Sequence, residues 1–293
     1  MKQTTKIQLS VAIMSTLFAT QSYSQGLYVS AGGGYGFSAA GNSSFASTEN
    51  TSNTATLNNT YTYKISNGTG SFGRGAQFGA TVGYMFSENI GAELNIGYLL
   101  GSKNTNTNYE TKFNGTYSST DTYSGKMLRL TPALRFSVGK DKLKPYMRVG
   151  LVIGVGGKIS VANSSTDVNI SGGGVSTTTI NESESTLNGG VSLGFAAGVG
   201  VNYMVSDKFG IFAEVGIITQ SWAPTKALLT KSTTNGADNL SFMTTSQKET
   251  NFVSSYTETN GTSSPGTPST ALKMNTPFSS VGINVGVHLA FGK

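Results

Sequence analysis

Apolar and polar residues alternate with a period of two along most of the chain from residue 26 onward. The final segment shows the pattern best: Val281, Ile283, Val285, Val287 and Leu289 share one parity, and small or polar residues share the other. Such alternation is typical of a β-strand with two unlike faces, because successive side chains point to opposite sides. No helical period of useful length occurs, so the sequence predicts an all-β fold.

Eight segments with this alternation predict eight strands. They lie near residues 26–37, 71–86, 90–101, 125–139, 145–159, 187–205, 209–222 and 277–291. Each is long enough to cross a bilayer as a tilted strand, which needs ~9–11 residues. Pro132 interrupts the fourth segment, and a local bulge is expected there because proline cannot donate a ladder hydrogen bond.

The connections between these segments alternate between short and long. Three short connections lie at 87–89, 140–144 and 206–208. Four long connections, rich in Ser, Thr, Asn and Gly, lie near 38–70, 102–124, 160–186 and 223–276. This layout is typical of outer-membrane barrels. The sequence therefore predicts an eight-stranded antiparallel up-and-down transmembrane β-barrel with short periplasmic turns and four long extracellular loops.

The polar face of the strands indicates what lies inside the barrel. It carries most of the strand glycines, and an eight-stranded barrel leaves room for little more than side chains. The same face carries the ionisable residues Glu93, Arg129, Arg135, Arg148, Glu214 and His288. A charge in a narrow interior must be paired or hydrated. We expect a charge network that fills the interior as a structural salt-bridge cluster; a gate or proton-responsive plug is the alternative.

Aromatic residues of the apolar parity gather near the short turns, where they predict a girdle at one membrane interface. They are Tyr84, Phe86, Phe136, Tyr203, Phe209 and Phe291. Two hairpins around the short turns also resemble each other, at 83–91 and 202–210, and each is followed by an inward glutamate, Glu93 or Glu214. This similarity indicates repeated hairpins in one domain.

Composition narrows the class of protein further. Charged residues are 12% of the 293 residues, against about 25% in soluble domains. The absence of cysteine excludes disulfide scaffolds, thiol catalysis and cysteine-bearing zinc sites. Residues 1–24 have the basic start and short apolar stretch of a secretory signal peptide, which leaves 25–293 as the barrel domain. Export argues against a nucleic-acid partner.

The signal peptide, the eight alternating strands and the final strand together resemble the small outer-membrane barrels of Gram-negative bacteria. This group includes OmpX, the opacity proteins and the membrane part of OmpA. The final strand resembles a barrel-assembly signal at Asn284, Gly286, Leu289 and Phe291, although Gly292 and Lys293 follow the aromatic residue with which many members end. The resemblance implies location in the outer membrane, contact with outer-membrane lipid and lipopolysaccharide, and insertion by the barrel-assembly machinery.

Three functions remain open at this point. The leading hypothesis is a non-enzymatic barrel with a structural, adhesive or surface-antigen role, whose long loops contact a host or cell-surface ligand. The alternative is a narrow pore for small solutes or ions. The third is a lipid-modifying enzyme, which needs an activated serine beside a histidine. Ser279 and Ser280 lie at the far end of the strand that carries His288, and Ser137 lies four strands away. No catalytic residue, metal site or cofactor is therefore expected.

Overall fold

The computed structural model describes residues 26–39, 43–53, 60–112, 114–139, 142–257 and 264–291. The predicted signal peptide 1–24 and the terminal Gly292 and Lys293 lie outside the described residues. Strands dominate the described ranges, which confirms the all-β prediction. Within these ranges, no helix has both the length and the apolar composition needed to cross a bilayer.

The described ranges contain seventeen strands, a 3₁₀ turn at Leu240–Phe242 and a short helix α1 at Thr245–Lys248. The strands are β1 Gly26–Ser38, β2 Ser43–Asn53, β3 Thr60–Gly70, β4 Gly75–Met85, β5 Ile90–Gly101, β6 Asn104–Lys112, β7 Gly115–Ser137, β8 Leu143–Ile170, β9 Ser176–Asn188, β10 Ser192–Met204, β11 Phe209–Trp222, β12 Lys226–Thr234, β13 Ala237–Asp238, β14 Glu249–Val253, β15 Ser269–Leu272, β16 Thr276–Pro277 and β17 Ser280–Ala290.

Eight of these strands pair in a cycle that we call the ring. Antiparallel pairings run from β1 to β4, β5, β7, β8, β10, β11 and β17, and a final pairing joins β17 to β1. Each of the eight predicted segments overlaps one strand of the ring. The connections β4–β5, β7–β8 and β10–β11 are short and define the short-turn end of the ring; the other end is the long-connection end.

The long connections differ from the prediction, because they are largely strand rather than loop. β7 and β8 continue beyond the ring, and the pairings β3–β2–β6–β7–β8–β9–β12–β14–β15 form what we call the outer sheet. Sequence alternation missed these strands because Ser, Thr and Asn occupy both of their faces. Threonine nevertheless favours extended backbone, since its branched side chain packs well on a pleated surface.

The predicted bulge at Pro132 is wrong, and a bulge lies elsewhere. The pairs Leu130 with Ile153 and Ala133 with Gly150 keep one register, so no residue is inserted at Pro132. The register shifts instead between Lys126 and Leu128, beside Gly156, which has a left-handed φ of 63°. The extra residue reverses the side-chain parity of β8 beyond this point, because one inserted residue exchanges the two faces.

An apolar belt covers the outward face of the ring. Its exposed members come from neighbouring strands throughout the ring, and include Phe78, Leu94, Leu151, Val199 and Ile283. Soluble monomers rarely expose a continuous apolar surface of this extent. A hydrocarbon environment outside and a polar interior account for both faces of the ring.

Candidate functional site

The interior of the ring contains two matching rows of side chains. They are Tyr28–Gly83–Glu93 and Tyr146–Gly200–Glu214, each spread across three neighbouring strands. The Tyr28 hydroxyl donates to Glu93 Oε2 at 2.6 Å, and the Tyr146 hydroxyl donates to Glu214 Oε2 at 3.1 Å. A Cβ atom at either glycine would overlap the tyrosine ring. Glycine therefore lets each tyrosine reach across its neighbouring strand to the glutamate.

Two arginines join these rows into one charge cluster. Arg135 and Arg148 lie directly opposite each other on β7 and β8. Arg148 bridges both acids, with Nη2 at 2.7 Å from Glu214 Oε1 and Nη1 at 3.3 Å from Glu93 Oε1. Arg135 Nη1 lies 3.5 Å from Glu93 Oε2. We call Glu93, Arg135, Arg148 and Glu214 the ion-pair layer; its two negative and two positive charges balance.

Aromatic rings support the buried Arg135. Its guanidinium carbon lies 3.7 Å from the centroid of the Tyr146 ring and 5.2 Å from that of Tyr28. A guanidinium over an aromatic face gains electrostatic attraction, and more so where water is excluded. Each tyrosine thus binds one glutamate through its hydroxyl, and the aromatic rings of both tyrosines contact Arg135. Together these contacts fix the geometry of the ion-pair layer.

The remaining two predicted interior charges lie outside the ion-pair layer. Arg129 is buried nearer the long-connection end, where it donates to Gln220 Oε1 at 2.9 Å and to the Phe278 carbonyl at 2.8 Å. Among the described side chains, no carboxylate pairs with Arg129. His288 is buried beside the layer and packs on Tyr28 with ring centroids 5.1 Å apart. The structure thus gathers four of the six predicted charges into one network.

His288 has a serine neighbour that the sequence reasoning missed. Ser30 lies directly opposite His288 in the β1–β17 pairing, and its Oγ is 2.8 Å from His288 Nδ1. The reasoning considered serines on the same strand and at matching depth, whereas this contact depends on the pairing of the first strand with the last. Among the described side chains, no carboxylate contacts the imidazole of His288. Ser30 and His288 are both buried in the interior of the strand ring.

A second group of buried side chains packs inside the ring at the long-connection end. We call it the apolar cap; it consists of Phe72, Leu99, Met127, Ile159, Trp222 and Phe278. The rings of Trp222 and Phe278 meet edge to face with centroids 5.7 Å apart. Ile159 belongs to the cap because the bulge beside Gly156 turns it inward. The sequence reasoning missed this cap, since it expected only small and polar residues inside.

A polar chamber lies inside the ring around the ion-pair layer. Its volume is about 100 Å³, enough for several water molecules. Gln77, Asn95, Thr131, Asn202 and Asn284 line it together with Arg129 and the four residues of the ion-pair layer. Asn202 Oδ1 and Arg135 Nη2 are buried there without a hydrogen-bond partner among the described atoms. Water in the chamber would satisfy such atoms, whose burial without a partner is costly.

The outward aromatic residues form two groups, one near each end of the ring. The predicted girdle residues Tyr84, Phe86, Phe136, Tyr203, Phe209 and Phe291 are all half-buried or exposed at the short-turn end. A second group, which the sequence reasoning did not find, lies toward the long-connection end and consists of Tyr35, Phe37, Phe78, Tyr98 and Phe195. Two aromatic belts flanking an apolar band are typical of membrane barrels.

Comparison with known proteins agrees with this surface. Residues 9–242 match the family described as the outer membrane protein beta-barrel domain. The chain belongs to this family. It is accordingly a protein of the outer membrane, in contact with membrane lipid. The crystal structure of the outer membrane protein OprG from Pseudomonas aeruginosa is similar over 92% of this chain and 96% of OprG, at 13% identity and a TM-score of 0.41. No curated protein matches the chain.

The final strand of this outer-membrane barrel protein contains the residues that resemble an assembly signal. Leu289 faces outward, whereas Asn284 lines the polar chamber and Gly286 lies opposite Gly32 of β1. The Phe291 amide donates to the Leu27 carbonyl at 2.8 Å. These residues therefore lie where the last strand meets the first.

Proposed function

We propose that the protein is a non-enzymatic outer-membrane barrel with a structural and surface-contact role. In this proposal the signal peptide 1–24 is removed, and residues 25–293 form an eight-stranded up-and-down barrel with periplasmic short turns and an extracellular outer sheet. The observation that carries the proposal is the presence of two packed groups inside the ring, the ion-pair layer and the apolar cap, each of which we propose to close the interior. A barrel closed twice offers no continuous path for solutes.

The outer sheet supports a role in surface contact. It continues the β7–β8 ladder beyond the ring, and β9 pairs with this extension of β8, so the ring supports the outer sheet directly. Large apolar side chains are exposed on its connections, including Val175 at the β8–β9 turn and Phe242, which is 86% exposed. Aromatic and apolar anchors on a polar surface favour contact with another macromolecule. A host or cell-surface ligand is the partner that fits this arrangement.

One observation favours the narrow pore as a second candidate. The polar chamber of about 100 Å³ offers a hydrated space inside the ring. A path would form if both the ion-pair layer and the apolar cap moved aside. Swelling of liposomes that contain the refolded protein, in small sugars and amino acids, distinguishes the two functions. The proposal expects no swelling above that of empty liposomes.

Lipid-modifying catalysis is disfavoured by the position of Ser30 and His288. A serine nucleophile needs access to its substrate and donors for the developing oxyanion. Both side chains are buried within the ring, and Tyr28 covers one side of the histidine. A lipid acyl chain in the surrounding membrane has no access to them. We propose a structural hydrogen bond here, which ties the first strand to the last.

The proposal also includes insertion by the barrel-assembly machinery, which would recognise Asn284, Gly286, Leu289 and Phe291. It further includes contact between lipopolysaccharide and the outward face of the ring.

The surface role is tested by shortening the β8–β9 hairpin. Replacing residues 164–182 with Asn-Gly retains the pairing of Asn163 with Ser183 and joins it by a two-residue turn. Cells that display the shortened protein should adhere less to epithelial surfaces than cells that display the parent. Equal adhesion, with the shortened barrel folded by gel mobility, would contradict the surface role.

A further inference from the structure

Two lysines lie directly opposite each other on the outward face of the ring. Lys126 of β7 pairs in register with Lys158 of β8, and both side chains are exposed. Residues directly opposite in an antiparallel pair have Cβ atoms about 4.5–5.5 Å apart on the same face. The bulge beside Gly156 creates this arrangement, because it shifts β8 and turns Lys158 outward.

Neither lysine has an acidic partner among the described side chains. The same cross-strand row continues through Asn188 to Lys226, which does have one, since its Nζ lies 2.6 Å from Glu249 Oε2. Like charges directly opposite each other on a sheet are destabilising. The pair Lys126 and Lys158 thus presents two positive charges that a single bound anion would neutralise.

The position of the lysine pair indicates what kind of anion it meets. Leu128 and Val155 lie directly below the pair on the same face and belong to the apolar belt. Tyr98, opposite Leu128, belongs to the aromatic group at this end of the ring. Above the pair, β7 and β8 continue into the polar outer sheet with Ser124 and Ser160. The lysines are therefore at the level where lipid headgroups begin.

Resting on the proposed orientation, in which the outer sheet is extracellular, we propose that Lys126 and Lys158 form a binding site for the phosphate group of an anionic outer-leaflet lipid. Phosphate oxygens would accept hydrogen bonds from both ammonium groups, and the acyl chains of the same lipid would lie along Leu128 and Val155. A lipid rather than a free phosphate is the occupant, because an apolar surface for its chains adjoins the two charges. The assignment places this face of the ring, beside the outer sheet, in fixed contact with a phosphorylated lipid.

The test measures lipid binding to the refolded mature protein in zwitterionic detergent by native mass spectrometry. The probe is a diphosphorylated lipid A glycolipid. A basic residue near an anionic membrane surface contributes about 1 kcal/mol, so Lys126→Gln with Lys158→Gln should weaken binding about 30-fold, or about 2 kcal/mol. The matched control is Lys142→Gln with Lys208→Gln, which removes two exposed lysines from the short-turn end. It should bind the glycolipid as the parent does.

Two further arms identify the ligand. The dephosphorylated glycolipid should bind the parent as weakly as the phosphorylated probe binds the Lys126/Lys158 variant. Millimolar inorganic phosphate should not displace the glycolipid. Equal binding by the parent and the variant, or an equal loss in the short-turn control, would overturn the site. Displacement by inorganic phosphate, or unchanged binding of the dephosphorylated glycolipid, would overturn its assignment to a lipid phosphate.

Discussion

The Tyr28 hydroxyl donates a hydrogen bond of 2.6 Å to Glu93 Oε2 across an intervening strand, where only Gly83 lies between them. The row of Tyr146, Gly200 and Glu214 repeats this relationship on the other side of the ring. The two glutamates follow the two hairpins that resemble each other in the sequence. The internal repeat thus reproduces one interaction twice, and the two copies meet at Arg148.

Gly83→Ala tests the requirement for glycine in this row. The added Cβ would overlap the Tyr28 ring and displace its hydroxyl from Glu93. Overpacking of this kind costs about 1–3 kcal/mol. Gly97→Ala is the matched control, because Gly97 has the same inward parity and its nearest contact, Asn95 Oδ1, would be 3.2 Å away. Urea unfolding in bilayers should show the larger loss for Gly83→Ala, and equal losses would contradict this packing.

The two acids of the ion-pair layer should contribute unequally to stability. Glu93 contacts Arg135, Arg148 and Tyr28, whereas Glu214 contacts Arg148 and Tyr146. Removing one partner of a buried pair costs about 3–5 kcal/mol. Glu93→Gln should approach this range. Glu214→Gln should cost less, because Arg148 still forms its ion pair with Glu93 in that variant. Glu249→Gln, which breaks the exposed pair with Lys226, should cost less than about 1 kcal/mol. If Glu214→Gln lowered the free energy of unfolding more than Glu93→Gln, the number of contacts made by each acid would not determine its contribution to stability.

A charge on the outward face should reveal where hydrocarbon surrounds the ring. Leu151 and Ile170 are both exposed apolar residues of β8, one in the ring and the other at its far end in the outer sheet. Leu151→Arg should cost about 2–4 kcal/mol in bilayers, as expected near the midplane. Ile170→Arg should be nearly neutral because water surrounds it. A neutral Leu151→Arg would mean that this face does not meet lipid.

The orientation in the membrane is testable because the chain has no cysteine. Gly173→Cys places one thiol at the β8–β9 turn of the outer sheet, and Asp207→Cys places one at the short β10–β11 turn. A membrane-impermeant maleimide should label Gly173→Cys on intact cells and Asp207→Cys only after the outer membrane is permeabilised. Labelling in the opposite pattern would invert the proposed topology.

Alternation of side chains predicted the strands of the ring because each has one apolar and one small or polar face. The same signal failed for the outer sheet, where β9 and β12 carry polar residues on both faces. It also failed for Ile159 and Lys158, because a bulge exchanges the faces of β8 at a position that parity does not reveal. Pro132, by contrast, is accommodated with its register unchanged.

The candidate site was predictable as a set of inward charges but not as a geometry. Parity grouped Arg129 with the other five residues, yet its position along β7 places it with Gln220 near the apolar cap. The contact between Ser30 and His288 depends on the pairing of the first strand with the last, which no local pattern encodes. The tyrosine hydroxyls that complete the ion-pair layer were missed for the same reason, since their partners lie two strands away.

Conductance in planar bilayers tests most directly whether the interior is closed at two levels. The parent should show no steady channel. Replacing Glu93, Arg135, Arg148 and Glu214 together with alanine opens the ion-pair layer only, and Trp222→Ala with Phe278→Ala opens the apolar cap only. Each variant alone should remain closed, and all six substitutions together, in a barrel whose folding is checked by gel mobility, should give steady conductance. A parent that conducts freely, with a conductance that none of the variants changes, would contradict the closed interior.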